Sequence, residues 1–240
     1  MRIALGVLAA AFAASVQGAQ CVAKSGPNTA ALVELYTSEG CSSCPPADRW
    51  LSGLSAQGYV PERVVPLALH VDYWDYIGWK DPYAKRVFSQ RQRKLTQLQR
   101  LALVYTPQVM LQGQDFRGWG TPAFEQALAK INARPARADI ALELLPAGSS
   151  TLTVRVSAAL LDAAQPEEAG LYLAAYEIRL ESRVVLEWQG PLAFSGSRLV
   201  QERALPLLPG AQRANSGVVA FVQNRRTAEV LQVLMLPSCA

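Results

Sequence analysis

The sequence predicts an α/β domain over residues 20–135 followed by an all-β, sandwich-like domain over residues 136–240. Three observations predict it. Two short apolar runs flank a helix-like segment between residues 30 and 70, which describes a β-α-β unit. A long segment of helical character then leads into a strand entered through a proline. Beyond Arg134-Pro135 the chain changes to short alternating runs broken by Gly, Pro and Ser, the pattern of antiparallel strands.

Ahead of the first domain, Met1-Arg2 is followed by an apolar, Ala-rich stretch from Ile3 to Val16 and small residues at Gly18 and Ala19. This describes a secretory signal peptide over residues 1–19, cleaved after Gly18 or Ala19. The stretch is too short and Ala-rich for a membrane span, and no later segment is apolar enough for one. Gln20 before Cys21 disfavours a lipid-modified cysteine. The expectation is a periplasmic or secreted protein with no stable membrane insertion. Half the residues are hydrophobic and 18% are charged, so a folded chain is expected rather than a disordered one. The net charge of +4 comes without a dense Lys/Arg cluster interleaved with aromatics, which argues against nucleic acid as a partner.

The cysteines divide into a local pair, Cys41 and Cys44, and a terminal pair, Cys21 and Cys239. Chain ends often meet on a domain surface. A Cys21–Cys239 staple is therefore expected in an exported protein, and closing so long a loop contributes up to roughly 5 kcal/mol in the loop-entropy picture.

In chain order, Ala30 to Tyr36 reads as a buried strand, broken by Thr37-Ser38-Glu39-Gly40. Cys41-Ser-Ser-Cys44 follows, and a helix starts at Pro45-Pro46, where prolines are tolerated. Val64 to His70 is the second strand. Asp81 to Leu103 reads as a helix with Lys85, Arg86, Arg91, Arg93, Lys94 and Arg100 on a solvated polar side. Val104-Tyr105-Thr106-Pro107 then opens the strand Gln-Val-Met-Leu-Gln-Gly.

The Cys-x-x-Cys pair admits metal, haem or redox use. Pro45 follows Cys44 where haem attachment needs His, and His70 is the lone histidine available as a further zinc ligand besides the terminal cysteines. A purely structural disulfide across so small a ring restrains little chain entropy. Redox chemistry is favoured. A cysteine at a helix start feels the positive end of the dipole and unpaired N–H groups, which favour thiolate. Cys41 is therefore expected to be the exposed attacking thiol and Cys44 the buried resolving one. A cis bond before Pro107 would expose the Thr106 backbone to pair with a substrate strand.

Strand, Cys-x-x-Cys at a helix start, strand, helix, and Thr-Pro opening a strand resemble the thioredoxin fold. More narrowly, SEGCSSCPPAD, ALHVDYWDYIGWKDP and VYTPQVMLQG resemble the exported thioredoxin-like family filed as domain of unknown function 1223, over most of Ala30 to Gly113. The resemblance implies an α/β thioredoxin-like domain with Cys41 and Cys44 as the redox pair and Pro107 as the cis-proline. In that topology the ends of the first two strands and the start of the third share one sheet edge. Cys41, the segment from His70 to Asp75, and Thr106-Pro107 would converge there. His70 or Asp72 is then a candidate proton shuttle. Tyr73, Trp74, Tyr76 and Trp79 are a candidate aromatic wall for substrates, with core packing as the alternative.

The expected function is an exported thiol–disulfide oxidoreductase. It would act on protein or peptide thiols and disulfides with a redox partner protein and no cofactor, in an unspecified direction. Two other classes stay open: a copper-binding or copper-delivery protein using Cys41, Cys44 and His70, and a non-catalytic binding protein. In the second half, Asp139 to Leu145, Thr151 to Leu161, Leu171 to Leu180, Val184 to Trp188, Arg198 to Leu205, Gly217 to Gln223 and Glu229 to Leu236 read as strands of a sandwich. No catalytic constellation is evident among them.

Overall fold

The computed structural model describes residues 21–161, 166–179 and 182–239. The expected signal peptide over residues 1–19 lies outside them. The first half runs β1 (Cys21–Lys24), β2 (Ala31–Thr37), α1 (Pro45–Ala56), β3 (Val64–His70), a 3-10 turn (Asp72–Ile77), α2 (Arg86–Leu98), β4 (Gln108–Leu111), β5 (Gln114–Asp115) and α3 (Pro122–Asn132). The second half runs β6 (Ala138–Leu145), β7 (Thr151–Leu160), β8 (Ala169–Arg179), β9 (Ser182–Leu192), β10 (Arg198–Pro206), β11 (Ser216–Asn224) and β12 (Val230–Pro237).

The strands form a mixed eight-stranded sheet, in the order β12-β11-β8-β9-β3-β2-β4-β5, and a four-stranded antiparallel sheet, β1-β6-β7-β10. β2 and β3 are parallel, with Thr37 opposite His70, and β4 runs antiparallel to β2. Two links cross the 135/136 boundary. β9 pairs in parallel with β3 through Ala68 and Val184, and β1 pairs with β6. The second-half strands therefore divide. β6, β7 and β10 build the small sheet, while β8, β9, β11 and β12 extend the sheet begun by β2 and β3.

β2 and β3 are buried along their whole lengths because helices cover both sheet faces. Ala31, Val33 and Leu35 point to one face, where they pack with Leu51 of α1 and Phe124, Leu128 and Ile131 of α3. Leu32 and Tyr36 point to the other, against Phe88 and Leu95 of α2. A third core lies between the two sheets, joining residues such as Leu142, Val154 and Val156 to Leu171, Leu173 and Val218. Cys21 and Cys239 are joined in a disulfide that ties the ends of the described chain together.

Several features differ from the sequence reading. The long helix is shorter than Asp81 to Leu103. Its first five residues form a turn in which the Asp81 carboxylate accepts the Tyr83 N–H, and Arg100 ends it at φ 55°. α3 was not anticipated, although Thr121 caps it by accepting the Ala123 N–H and its apolar positions fall at i, i+4 and i+7. Arg91 does not lie on a solvated face. It is buried against Glu34, because β2 places that carboxylate on the face that α2 covers.

Candidate functional site

β2 ends at Thr37 and the chain turns over Ser38–Ser43, held by Cys41 N–H donating to Ser38 O at 3.1 Å and Cys44 N–H to Cys41 O at 3.2 Å. Cys41 and Cys44 form a disulfide. Helix α1 starts at Pro45 with Cys44, not Cys41, in the cap position. The unpaired N–H groups expected there are already used. Pro45 and Pro46 carry none, and the Ala47 and Asp48 N–H groups both donate to Cys44 O, at 2.9 and 3.1 Å. What α1 offers a thiolate is its dipole.

Cys41 was expected to be exposed, yet it is 2% exposed and Cys44 1%. Two neighbours border the Cys41 loop. The Ile77 side chain packs on Gly40, so closely that a Cβ there would lie 3.0 Å from Ile77 Cδ1. Ser43 Oγ stands 3.5 Å from Cys41 Sγ and donates to Thr106 O at 3.5 Å. With both cysteines this buried, attack on either sulfur requires the loop around it to move. Ile77→Ala is expected to speed reduction of this disulfide by dithiothreitol severalfold, read by thiol alkylation, while Cys21–Cys239 reacts as before.

The Thr106–Pro107 bond is cis. Its loop is held from beneath by Gln92 of α2, a fully buried side chain that sequence reasoning missed. Gln92 Nε2 donates to Tyr105 O and Gln108 Oε1, both at 2.8 Å, and its Oε1 accepts the Tyr73 hydroxyl at 3.0 Å. Tyr73 in turn hydrogen-bonds the Thr106 hydroxyl. Gln108 Nε2 and Tyr105 OH converge on Asp115 Oδ1, at 2.8 and 2.7 Å. Burial, with the Asp115 carboxylate beside it, pushes the Tyr105 hydroxyl up to about 12. Nothing in the periodicity of α2 marks Gln92, because a buried glutamine reads as a polar helix position until its partners are known. Gln92→Leu should cost about 1–3 kcal/mol in urea unfolding, since it strands Gln108 Oε1 and Tyr105 O away from water.

The candidate aromatic wall splits. Tyr73 supports the Thr106 loop, and Trp74 packs half-buried against the core on the α2 side. Tyr76 and Trp79 stand out at 82% and 58% exposure, Trp79 fixed by donating Nε1 to Glu39 at 3.0 Å. Leu103 is also exposed, at 70%, ahead of the Thr106 loop.

Of the candidate proton shuttles, His70 ends β3. His70 Nδ1 is 2.6 Å from Asp81 Oδ2, which also accepts the Glu39 N–H at 2.9 Å. Burial opposes ionisation of Asp81. The hydrogen bond and charge of His70, with the Glu39 and Tyr83 N–H groups, nevertheless hold its carboxyl below the usual carboxylate range. Asp72, the other shuttle candidate, accepts a hydrogen bond from Ser89 Oγ of α2. Asp48, which sequence reasoning missed, sits four residues after Cys44, on the same face of α1. It accepts the Thr37 hydroxyl at 2.8 Å, and burial raises its carboxyl despite that bond and the nearby His70. Asp48, His70 and Thr37 line a cleft of about 590 Å³ at the C-terminal ends of β2 and β3. Among the described residues no three His, Cys, Asp or Glu side chains gather as metal ligands.

A parallel β2–β3 pair, an antiparallel β4 and a Cys-x-x-Cys disulfide beside a cis-proline define a mixed α/β protein with a disulfide site at one sheet edge. The chain belongs to the family described as protein of unknown function DUF1223, whose pattern matches residues 32–187. It is similar to the crystal structure of protein AGR_C_4864 from Agrobacterium tumefaciens, with a TM-score of 0.62 and 25% identity over 89% of this chain and 96% of that one. It also shares its fold with HBP35 of Porphyromonas gingivalis, with a TM-score of 0.67 and 16% identity over 89% of this chain and 76% of that one. No curated protein matches it.

Proposed function

We propose that this protein is an exported thiol–disulfide oxidoreductase, with residues 20–135 acting as a thioredoxin-like domain. The observation that carries the reading is the Cys41–Cys44 disulfide set against the cis Thr106–Pro107 bond, with Ser43 Oγ donating to Thr106 O. A periplasmic or secreted location suits a chain whose four cysteines are all in disulfides. Among the described residues no helix is long and apolar enough to cross a membrane.

In the proposed exchange a substrate thiolate attacks Cys41 Sγ, the Cys41–Cys44 bond breaks, and the electron pair leaves on Cys44 Sγ. A second substrate thiolate then displaces Cys41, so the substrate gains a disulfide and the protein two thiols. Asp48 and His70 are the candidates to protonate Cys44 as it leaves and to take that proton back in the reverse direction. A redox partner protein restores the starting state. The exposed Tyr76, Trp79 and Leu103 supply apolar contact for a polypeptide, and the Thr106 loop supplies backbone pairing. Loss of exchange on a disulfide-bonded peptide in Cys41→Ser is the expected result, and undiminished turnover in that variant would remove the reading.

Asp48 gives a second test. Its carboxyl is raised in the folded protein, so the folded state holds the proton more tightly than the unfolded chain. Stability is then lost as pH rises from the ordinary carboxylate range through the raised value. Asp48→Asn, which still accepts from Thr37, should melt higher than wild type at pH 7 and equal to it in acid. The same variant should exchange disulfides more slowly at neutral pH.

A further inference from the structure

We propose that the cleft between α2 and the face formed by β8, β9 and β11 binds a small anionic molecule with a flat apolar body. The cleft encloses about 480 Å³, within the roughly 300–1,000 Å³ typical of small-molecule sites. It lies on the α2 face of the large sheet and shares no lining residue with the cleft holding Asp48 and His70.

Its floor is aromatic. Tyr172 stacks on Phe221 with centroids 5.0 Å apart, and Trp188 lies 5.7 Å from Tyr172. The Arg91 guanidinium sits 4.8 Å from the Trp188 ring centre and 5.1 Å from that of Tyr172, locking both rings in place. Val87 and Leu98 of α2 form one wall, and Pro191 forms the other. That second wall depends on a close approach only glycine allows: Gly190 has φ +130°, and a Cβ on it would lie 2.8 Å from Tyr172 Cδ1.

The charge of the lining selects the ligand. Arg91, Lys94 and Arg225 line the cleft. Arg91 is neutralised by Glu34, and Glu168, which accepts from the lining Asn224, is matched by Arg226. Lys94 is exposed with no partner among the described residues. Among the described residues the Arg225 guanidinium donates to the Glu167 carbonyl and meets no carboxylate, and its stem packs on Gly170, 3.2 Å from where a Cβ would stand. Among the described residues, then, no carboxylate pairs with the Lys94 or Arg225 side chain, and both stand at the rim of an apolar slot. A flat apolar group fits against Trp188 and Pro191, and a carboxylate, sulfonate or phosphate fits between Lys94 and Arg225.

The test titrates the full chain with 1-anilinonaphthalene-8-sulfonate and with its neutral analogue N-phenyl-1-naphthylamine, following emission. One saturable sulfonate site per chain is expected, at least about tenfold tighter than for the neutral probe. The variant Lys94→Glu/Arg225→Glu should bind the sulfonate at least about tenfold more weakly, with the neutral probe unaffected. Lys94→Glu alone should give part of that loss. Absence of saturation, equal affinity for the two probes, or undiminished sulfonate binding by the double variant would each overturn the proposal.

Discussion

Arg91→Met should destabilise the protein by about 3–5 kcal/mol, because it leaves a buried carboxylate without its counter-charge. Glu34 is fully buried and the Arg91 side chain is 8% exposed. Arg91 Nε and Nη2 meet the two oxygens of Glu34 at 2.5 and 2.9 Å, and Nη1 donates to Gln223 at 3.1 Å. The pair fastens α2 to β2, beneath the strand that leads into the Cys41 loop. The Tyr36 hydroxyl donates to the same carboxylate at 3.3 Å, and burial together with Glu34 raises that phenol well above its ordinary value. The loss should be smaller in Glu34→Leu/Arg91→Met, because two apolar groups of similar volume leave no stranded charge. Urea unfolding of the single and double variants measures both. A single variant within about 1 kcal/mol of wild type would show that Glu34 finds water or another partner.

Cys44→Ser should accumulate stoichiometric mixed disulfides through Cys41, whereas Cys41→Ser should accumulate few. The two sulfurs are equally buried, but their surroundings differ. Cys41 Sγ faces Ser43, which reaches the Thr106 carbonyl where a substrate strand would pair. Cys44 caps α1, one turn before Asp48. Attack from the cis-proline side therefore lands on Cys41, and Cys44 is the leaving sulfur, one turn before Asp48. In Cys44→Ser no resolving thiol remains to release the adduct. Mass spectrometry of the variant incubated with a peptide disulfide reads the adduct directly. Adducts on Cys44 in Cys41→Ser, with none on Cys41 in Cys44→Ser, would reverse the roles.

The elements around the site were legible where local chemistry dictates them. The buried runs of β2 and β3 have turn residues on both sides, and Pro45-Pro46 at a helix start admits few other readings. What failed needs partners distant in sequence. Arg91 reads as one more cation on a basic helix, and only the sheet face above it reveals Glu34. Gln92 and Asp81 are ordinary polar residues until the Thr106 loop and His70 are brought against them. The proline pair that marked the helix start also removed N–H groups assigned to the thiolate, a consequence Pro45-Pro46 carries in its own chemistry. The second half shows strands well, because alternation is local. Which sheet each strand joins is decided by β9 meeting β3, a pairing that strand patterns cannot encode.

In the proposed chemistry Cys41–Cys44 is the exchangeable pair and Cys21–Cys239 a structural one. Redox equilibration of the whole protein in dithiol buffers, with alkylation and mass analysis of each cysteine, tests this most directly. Cys41–Cys44 is expected to reduce reversibly at a potential above about −300 mV, while Cys21–Cys239 stays oxidised until below it. A Cys41–Cys44 potential below that of Cys21–Cys239 would overturn this division of roles.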